Sequence, residues 1–275
     1  MKPSTRFHLV LAGALAFTLV AGCSSASDVR SDSGPSTTDG STTSAAEAGE
    51  EGTTTTPAAD AEGPSDSKAL FIQGSVSIPE GQPGQLSVVF VGTPRGDYGS
   101  TVPVVVRNNT SDAVQDIEIN GTARGADGSL AGSGSSQGFE PAILKSGEWG
   151  FGYIYFDTSL AADVTVEATA RGDEATDDGF FDRVPVLPTE VNTVPGEFGG
   201  RSYVGIVSNP GDKTVTDSLN IYIGCFDADS NLIDVFSGYA DGEVVSNGTA
   251  SFSIDTGSDA PECAALVVGA SGYED

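Results

Sequence analysis

The chain has 275 residues, with 39 Asp and Glu against 12 Lys and Arg and a formal charge of −27. Such a surplus of carboxylates repels polyanions and anionic headgroups, which excludes nucleic acid as an expected partner and points to cations or a basic protein, although acidity alone also keeps an exported protein soluble. The only His is His8 and the only Met is Met1; a chain cut beyond them has no imidazole for Ser-His-Asp or Cys-His activation, for zinc ligation or for proton transfer near neutral pH.

At the N-terminus, Lys2 and Arg6 precede an apolar run from Leu9 to Val20, the layout of a secretory signal peptide. Its 12 residues fall short of the roughly 20 that a membrane-spanning helix needs. The run closes on Val20-Ala21-Gly22-Cys23, which resembles the lipobox of bacterial lipoproteins. The resemblance implies cleavage before Cys23, acylation of its thiol by palmitate-type chains, and anchoring to the extracytoplasmic side of the cell membrane. Loss of Lys2 and Arg6 would take the charge from −27 to −29. Cleavage by the ordinary signal peptidase, with Cys23 left free, is the alternative; either route exports the protein.

Residues 23–68 are Ser, Thr, Gly, Ala, Pro, Asp and Glu with almost no large apolar side chain. Such a segment cannot bury enough surface to offset chain entropy, so it is expected to be a disordered tether with a reach of roughly 35 to 40 Å. Apolar patterning begins at Ala69-Leu70-Phe71-Ile72 and continues through Leu86 to Val91. Beyond it the period is two: Ile117, Ile119 and Ala123 alternate with polar residues, as do Val164, Val166 and Ala168. That spacing predicts half-buried strands, punctuated by turns from 36 Gly and 14 Pro.

The segment Val104–Asp112 is repeated at Val204–Asp212, aligning Asn109 with Asn209. Ala126-Asp127-Gly128-Ser129-Leu130 answers to Ala228-Asp229-Ser230-Asn231-Leu232, and Trp149-Gly150-Phe151 to Ala250-Ser251-Phe252. The fold expected is therefore all-β: two tandem β-sandwich domains, at 69–172 and 199–275, joined by an acidic and Pro-rich connector at 173–198 and preceded by the signal peptide at 1–22 and the tether. The strand and turn order, clearest at Phe226-Asp227-Ala228-Asp229, resembles that of FxLYD-type immunoglobulin-like domains of exported bacterial proteins. The resemblance implies an immunoglobulin-like sandwich and is nearly silent on function.

With Cys23 assigned to a lipid, Cys225 and Cys263 remain, and an exported pair reads as a disulfide, the alternative being two separately buried thiols. Asp255-Thr256-Gly257 resembles the aspartic-protease loop, and Phe156-Asp157-Thr158 stands in register with it, so a histidine-free hydrolase using Asp157 and Asp255 is the rival to a non-catalytic binding module. Asp227 to Asn231 begins like a calcium loop but lacks its Gly and Glu, which favours a hairpin turn. Asp173, Glu174, Asp177, Asp178 and Asp182 gather at the expected connector, where calcium could stiffen the pair into an adhesion-like module; a solvated connector is the simpler reading. Gly134-Ser135-Ser136-Gln137-Gly138 and Ser65-Asp66-Ser67-Lys68 match nucleophile motifs without the surroundings those motifs need. Trp149, Phe151, Tyr153 and Tyr155 fall on one strand face, read as core packing rather than as a sugar platform. No cofactor is expected, and the partners implied are the membrane, through Cys23, and an envelope protein or glycan.

Overall fold

The computed structural model describes residues 69–176, 183–197 and 199–274. They form β-strands joined by turns, with no helix among them. In chain order these are β1 (Phe71–Gln73), β2 (Leu86–Val91), β3 (Ser100–Asn108), β4 (Val114–Arg124), β5 (Leu130–Glu140), β6 (Trp149–Phe156), β7 (Thr165–Glu174), β8 (Arg183–Pro195), β9 (Arg201–Ser208), β10 (Val215–Phe226), β11 (Leu232–Tyr239), β12 (Thr249–Asp255) and β13 (Ala265–Glu274). The first repeat forms one antiparallel sheet in the order β2-β3-β6-β5-β4-β7, and the second a sheet in the order β11-β10-β13-β8-β9-β12, with β1 added to β13. Taken as closed rings, the two orders are the same. The first ring is open between β7 and β2, the second between β12 and β11.

Local details repeat as well. A bulge interrupts β2 between Val88 and Phe90, and the same irregularity falls in β8 between Pro188 and Glu190. Buried Asn108 donates from its amide to the carbonyls of Asp112 and Leu144 (both 2.8 Å) and accepts from the Thr110 N–H. Asn209 does the same with Lys213 and Val244 (2.8 and 3.0 Å) and accepts from Gly211. Each buried amide satisfies one carbonyl of the turn after its own strand and one of the loop before the neighbouring strand, β6 or β12, and so is a latch holding that corner of its sandwich. The structure thus equates Asn108, and not Asn109, with Asn209.

Three hydrophobic clusters lie in series. The first repeat's core holds Val102, Val104, Val106, Ile119, Ile154 and Phe156. The second repeat's core holds Tyr203, Ile221, Ile223, Phe252, Val268 and Ala270. Between them lies a third cluster drawn from both repeats, with Val105, Trp149 and Phe151 on one side and Tyr222, Phe226, Leu232 and Val267 on the other. Successive residues of a strand point to opposite faces, so β10 sends Ile221, Ile223 and Cys225 into its own sandwich and Tyr222 and Phe226 toward the first repeat. Burial on both faces explains why β3 and β13 read as nearly unbroken apolar runs.

The domain bounds expected from sequence need two corrections and the repeat alignment one. The range 173–198 is not a free connector: β8 fills residues 183–195, its first four residues pairing with β13 and the rest with β9. Pro188 and the adjacent bulge let this strand pass from one partner to the other without a missing ladder bond. Residues 71–73 precede the first repeat but belong to the second sheet, with Phe71 opposite Val268 and Gln73 opposite Leu266. Finally, Val104 pairs Gly152 and Gly205 pairs Phe252, so the aromatic strand was aligned one residue out of step. A one-residue slip reverses every side chain: Phe252 faces its own core, whereas Trp149, Phe151 and Tyr153 face the second repeat.

Candidate functional site

Cys225 and Cys263 form a disulfide with Cα atoms 5.1 Å apart, inside the range such a bond requires. Cys225 is fully buried on β10, and the Tyr203 hydroxyl lies 3.3 Å from Cys263 Sγ. Asp157 and Asp255 are both exposed, at the ends of β6 and β12 in different sheets, and Asp255 accepts a hydrogen bond from Ser202 Oγ. No hydrogen bond joins the two carboxyls, so the described structure does not assemble the proton-sharing pair that the aspartic-protease chemistry needs. Asp173 and Glu174 stand on the exposed end of β7; Cys23, Ser65 to Lys68, Asp177, Asp178 and Asp182 lie outside the described residues. Among the described residues no group of three or more His, Cys, Asp or Glu side chains is placed to hold a metal ion. Asp227 shapes a hairpin turn, accepting from the N–H groups of Asp229 and Asn231 (both 2.9 Å) and from the Asn231 amide. Those bonds hold its carboxyl below the usual range. Ser136, on β5, accepts from the Ile119 N–H at 3.0 Å, tying β5 to β4.

The aromatic strand builds the inter-repeat interface. Trp149 meets Phe226 edge-on at 6.2 Å between ring centres, and Tyr153 stacks on Tyr222 at 6.1 Å. The Tyr222 hydroxyl donates to the Gln137 carbonyl at 3.2 Å, and burial raises its pKa. Next to it lies a buried polar cluster that sequence reasoning missed. Glu140, fully buried at the end of β5, accepts from Ser271 Oγ of β13, and the Arg183 guanidinium of β8 stands 3.7 Å away. Arg183 also donates to the Ser271 carbonyl at 2.7 Å, and Asn220 accepts from both its terminal nitrogens at 2.7 and 3.1 Å when its amide oxygen faces them. Glu140 Oε2 has no partner. Burial pushes this carboxyl up to about 7, against the opposing pull of Arg183 and the Ser271 bond. Being closed to solvent, it acts on the interface and has no access to a substrate. A second ion pair, Arg95 to Asp234 at 3.3 Å, ties the repeats at the other end.

Recesses also open among the described residues. One of about 310 Å³ adjoins the disulfide and is lined by Arg201, Tyr203, Glu262 and Cys263; another of about 150 Å³ lies beside Arg183, Gly138 and Phe139. A roomier one, about 530 Å³, is a cleft between β2 with its preceding turn and β7, lined by Gln85, Leu86, Val88, Ala168 and Ala170. Its walls are mixed, Gln82, Ser87 and Thr169 joining these side chains along strand backbone, which suits an extended chain better than a reacting small molecule. No protein-family model matches the chain, and no curated protein matches it either.

Proposed function

We propose that the protein is a lipid-anchored, extracytoplasmic binding or scaffold module of a bacterial envelope, held to the membrane through acylated Cys23 and working without catalysis. The observation that carries this reading is the fusion of two sandwiches into one disulfide-braced body, whose inner strand faces are taken up by packing. A rigid body of this kind, following a polar segment of 45 or so residues, presents a surface at a distance from its anchor. The disulfide supports an oxidising compartment. Burial of Trp149, Phe151 and Tyr153 against the second repeat removes the aromatic platform a glycan would need and favours a protein partner.

Fractionation of the host envelope tests the anchor. The intact chain is expected in the detergent phase, carrying at least two acyl chains, and Cys23→Ala is expected to be released in folded form, because durable anchoring needs two lipid chains. Retention of Cys23→Ala with the membrane would overturn the proposal.

A further inference from the structure

Resting on the reading as a binding module, the geometry points to the outer edge of β7 as the place where the partner docks: an extended segment of another protein adds there as an antiparallel strand, its central large apolar side chain filling the β2–β7 cleft and its Lys or Arg flanks meeting an acidic rim.

The second repeat already contains the occupied form of this site. Ile119 pairs Ala170 in the first repeat and Ile221 pairs Ala270 in the second, so β7 and β13 correspond at Val166 and Leu266, Ala168 and Val268, Ala170 and Ala270. On β13 the outer edge is completely used. β1 pairs with Leu266 to Val268, and the first half of β8 pairs with Ala270 to Tyr273. Phe71 stands opposite Val268 and packs against the second repeat's core, and Leu266, Val268 and Ala270 are all buried.

On β7 the same edge carries no ladder. The counterpart of the first half of β8 would be the residues just before β2, and there Gly81, Pro83 and Gly84 turn the chain away, with Gly81 and Gly84 at φ of +73° and +78°. Those angles suit glycine and not a strand. Val166, Ala168 and Ala170 are consequently only half-buried, as are Leu86 and Val88 across the cleft. Small Ala168 stands where the second repeat has Val268, which leaves room opposite it for a side chain like Phe71. An unpaired edge beside an open slot whose apolar floor, Leu86, Val88 and Ala168, is flanked by Gln82, Ser87 and Thr169 is an arrangement that accepts an added strand, main-chain bonds giving affinity and the slot giving specificity.

The occupant is foreign to this chain. Between Ser24 and Lys68 the only large aliphatic residue is Val29, and no aromatic is present, so that segment has no side chain able to fill the slot. The chain's own Phe71 is engaged on β13. A second copy would bring an equally acidic rim. Glu80, Glu167, Asp173 and Glu174 are exposed around the edge, and Arg171, the cation on β7 itself, is already bound to Glu118. The complement is a basic segment.

The test uses the full chain in mild detergent and a fluorescent peptide with the sequence Lys68 to Gly74, which includes the strand that seals the second repeat, extended by two lysines at each end. Saturable one-to-one binding is expected, with hydrogen exchange slowed at residues 165–171. Replacing the peptide's Phe by Ala should weaken binding at least tenfold. In the protein, Ala168→Lys should abolish binding while the chain still melts cooperatively, by the inward charge that blunts natural edges; the surface change Glu167→Lys, with the melt unchanged, should weaken it about threefold. Absence of binding at millimolar peptide, binding that survives Ala168→Lys, slowed exchange on β13 in place of β7, or concentration-dependent dimerisation through β7 would each overturn the inference. A chain that stays lipid-anchored at Cys23 yet ignores the peptide fails this inference alone and leaves the proposed anchoring intact.

Discussion

Glu140 is the residue whose chemistry most affects stability. Its folded pKa, about 7, lies above the ordinary value of 4.5, so the fold holds a proton that the unfolded chain has already released across that interval. Stability from this group is therefore fully present below about pH 4.5 and is lost as the pH rises toward 7. The loss amounts to about 3 kcal/mol at most. Urea melts at pH 5 and pH 8 should show wild type losing that much more than Glu140→Gln; parallel profiles would contradict the account. Gly138 is the second such position, because a Cβ there would sit 1.9 Å from the Tyr222 hydroxyl oxygen and 2.5 Å from its ring. Gly138→Ala should lower stability by about 1 to 3 kcal/mol through overpacking, read from the same melts. Neither residue announces itself in the sequence, since Gln137-Gly138-Phe139-Glu140 looks like an ordinary strand end and its partners Arg183, Tyr222 and Ser271 all lie on strands of the second repeat. The Cys225–Cys263 bond was legible, because an exported chain with one thiol assigned leaves a single pair.

At the scale of elements, the three-residue β1 ties the sequence before the first repeat to the last strand of the second. Half-buried Phe71 supplies its apolar contact, so Phe71→Ala should cost about 2 kcal/mol, part of the full price of a buried Phe, and should speed exchange at residues 266–268. The disulfide spans 38 residues and by loop-closure entropy contributes at most roughly 4 kcal/mol. Reduction is expected to lower the single transition of the whole body, since the strand that carries Cys225 also forms the inter-repeat face. An unchanged melt after reduction would show the bond to be dispensable. Alternation made most strands readable from the sequence, and the repeat predicted their order. β8 was hidden because Asp173 to Asp178 and Pro185, Pro188 and Pro195 carry the composition of a linker, while its prolines in fact occupy a strand that changes partners. β1 was assigned to the nearest domain because pairing across nearly 200 residues leaves no local trace. The aromatic strand was seen as one face, but a one-residue slip in the repeat alignment concealed which neighbour that face meets.

At the scale of the whole molecule, the repeats behave as one body because Trp149, Phe151, Phe226 and Leu232 are buried only when both are present. Expressed apart, each half should expose this surface and aggregate or melt far below the intact chain. The repeats differ at one place of consequence: the second ring is sealed along β13, while the first is left open along β7. Hydrogen exchange of the intact chain, compared between these matching strands, measures that difference most directly. The account predicts that residues 265–273 exchange only on global unfolding, whereas about half the amides of residues 165–171, those facing the open edge, exchange orders of magnitude faster. Equal protection of the two strands would contradict it.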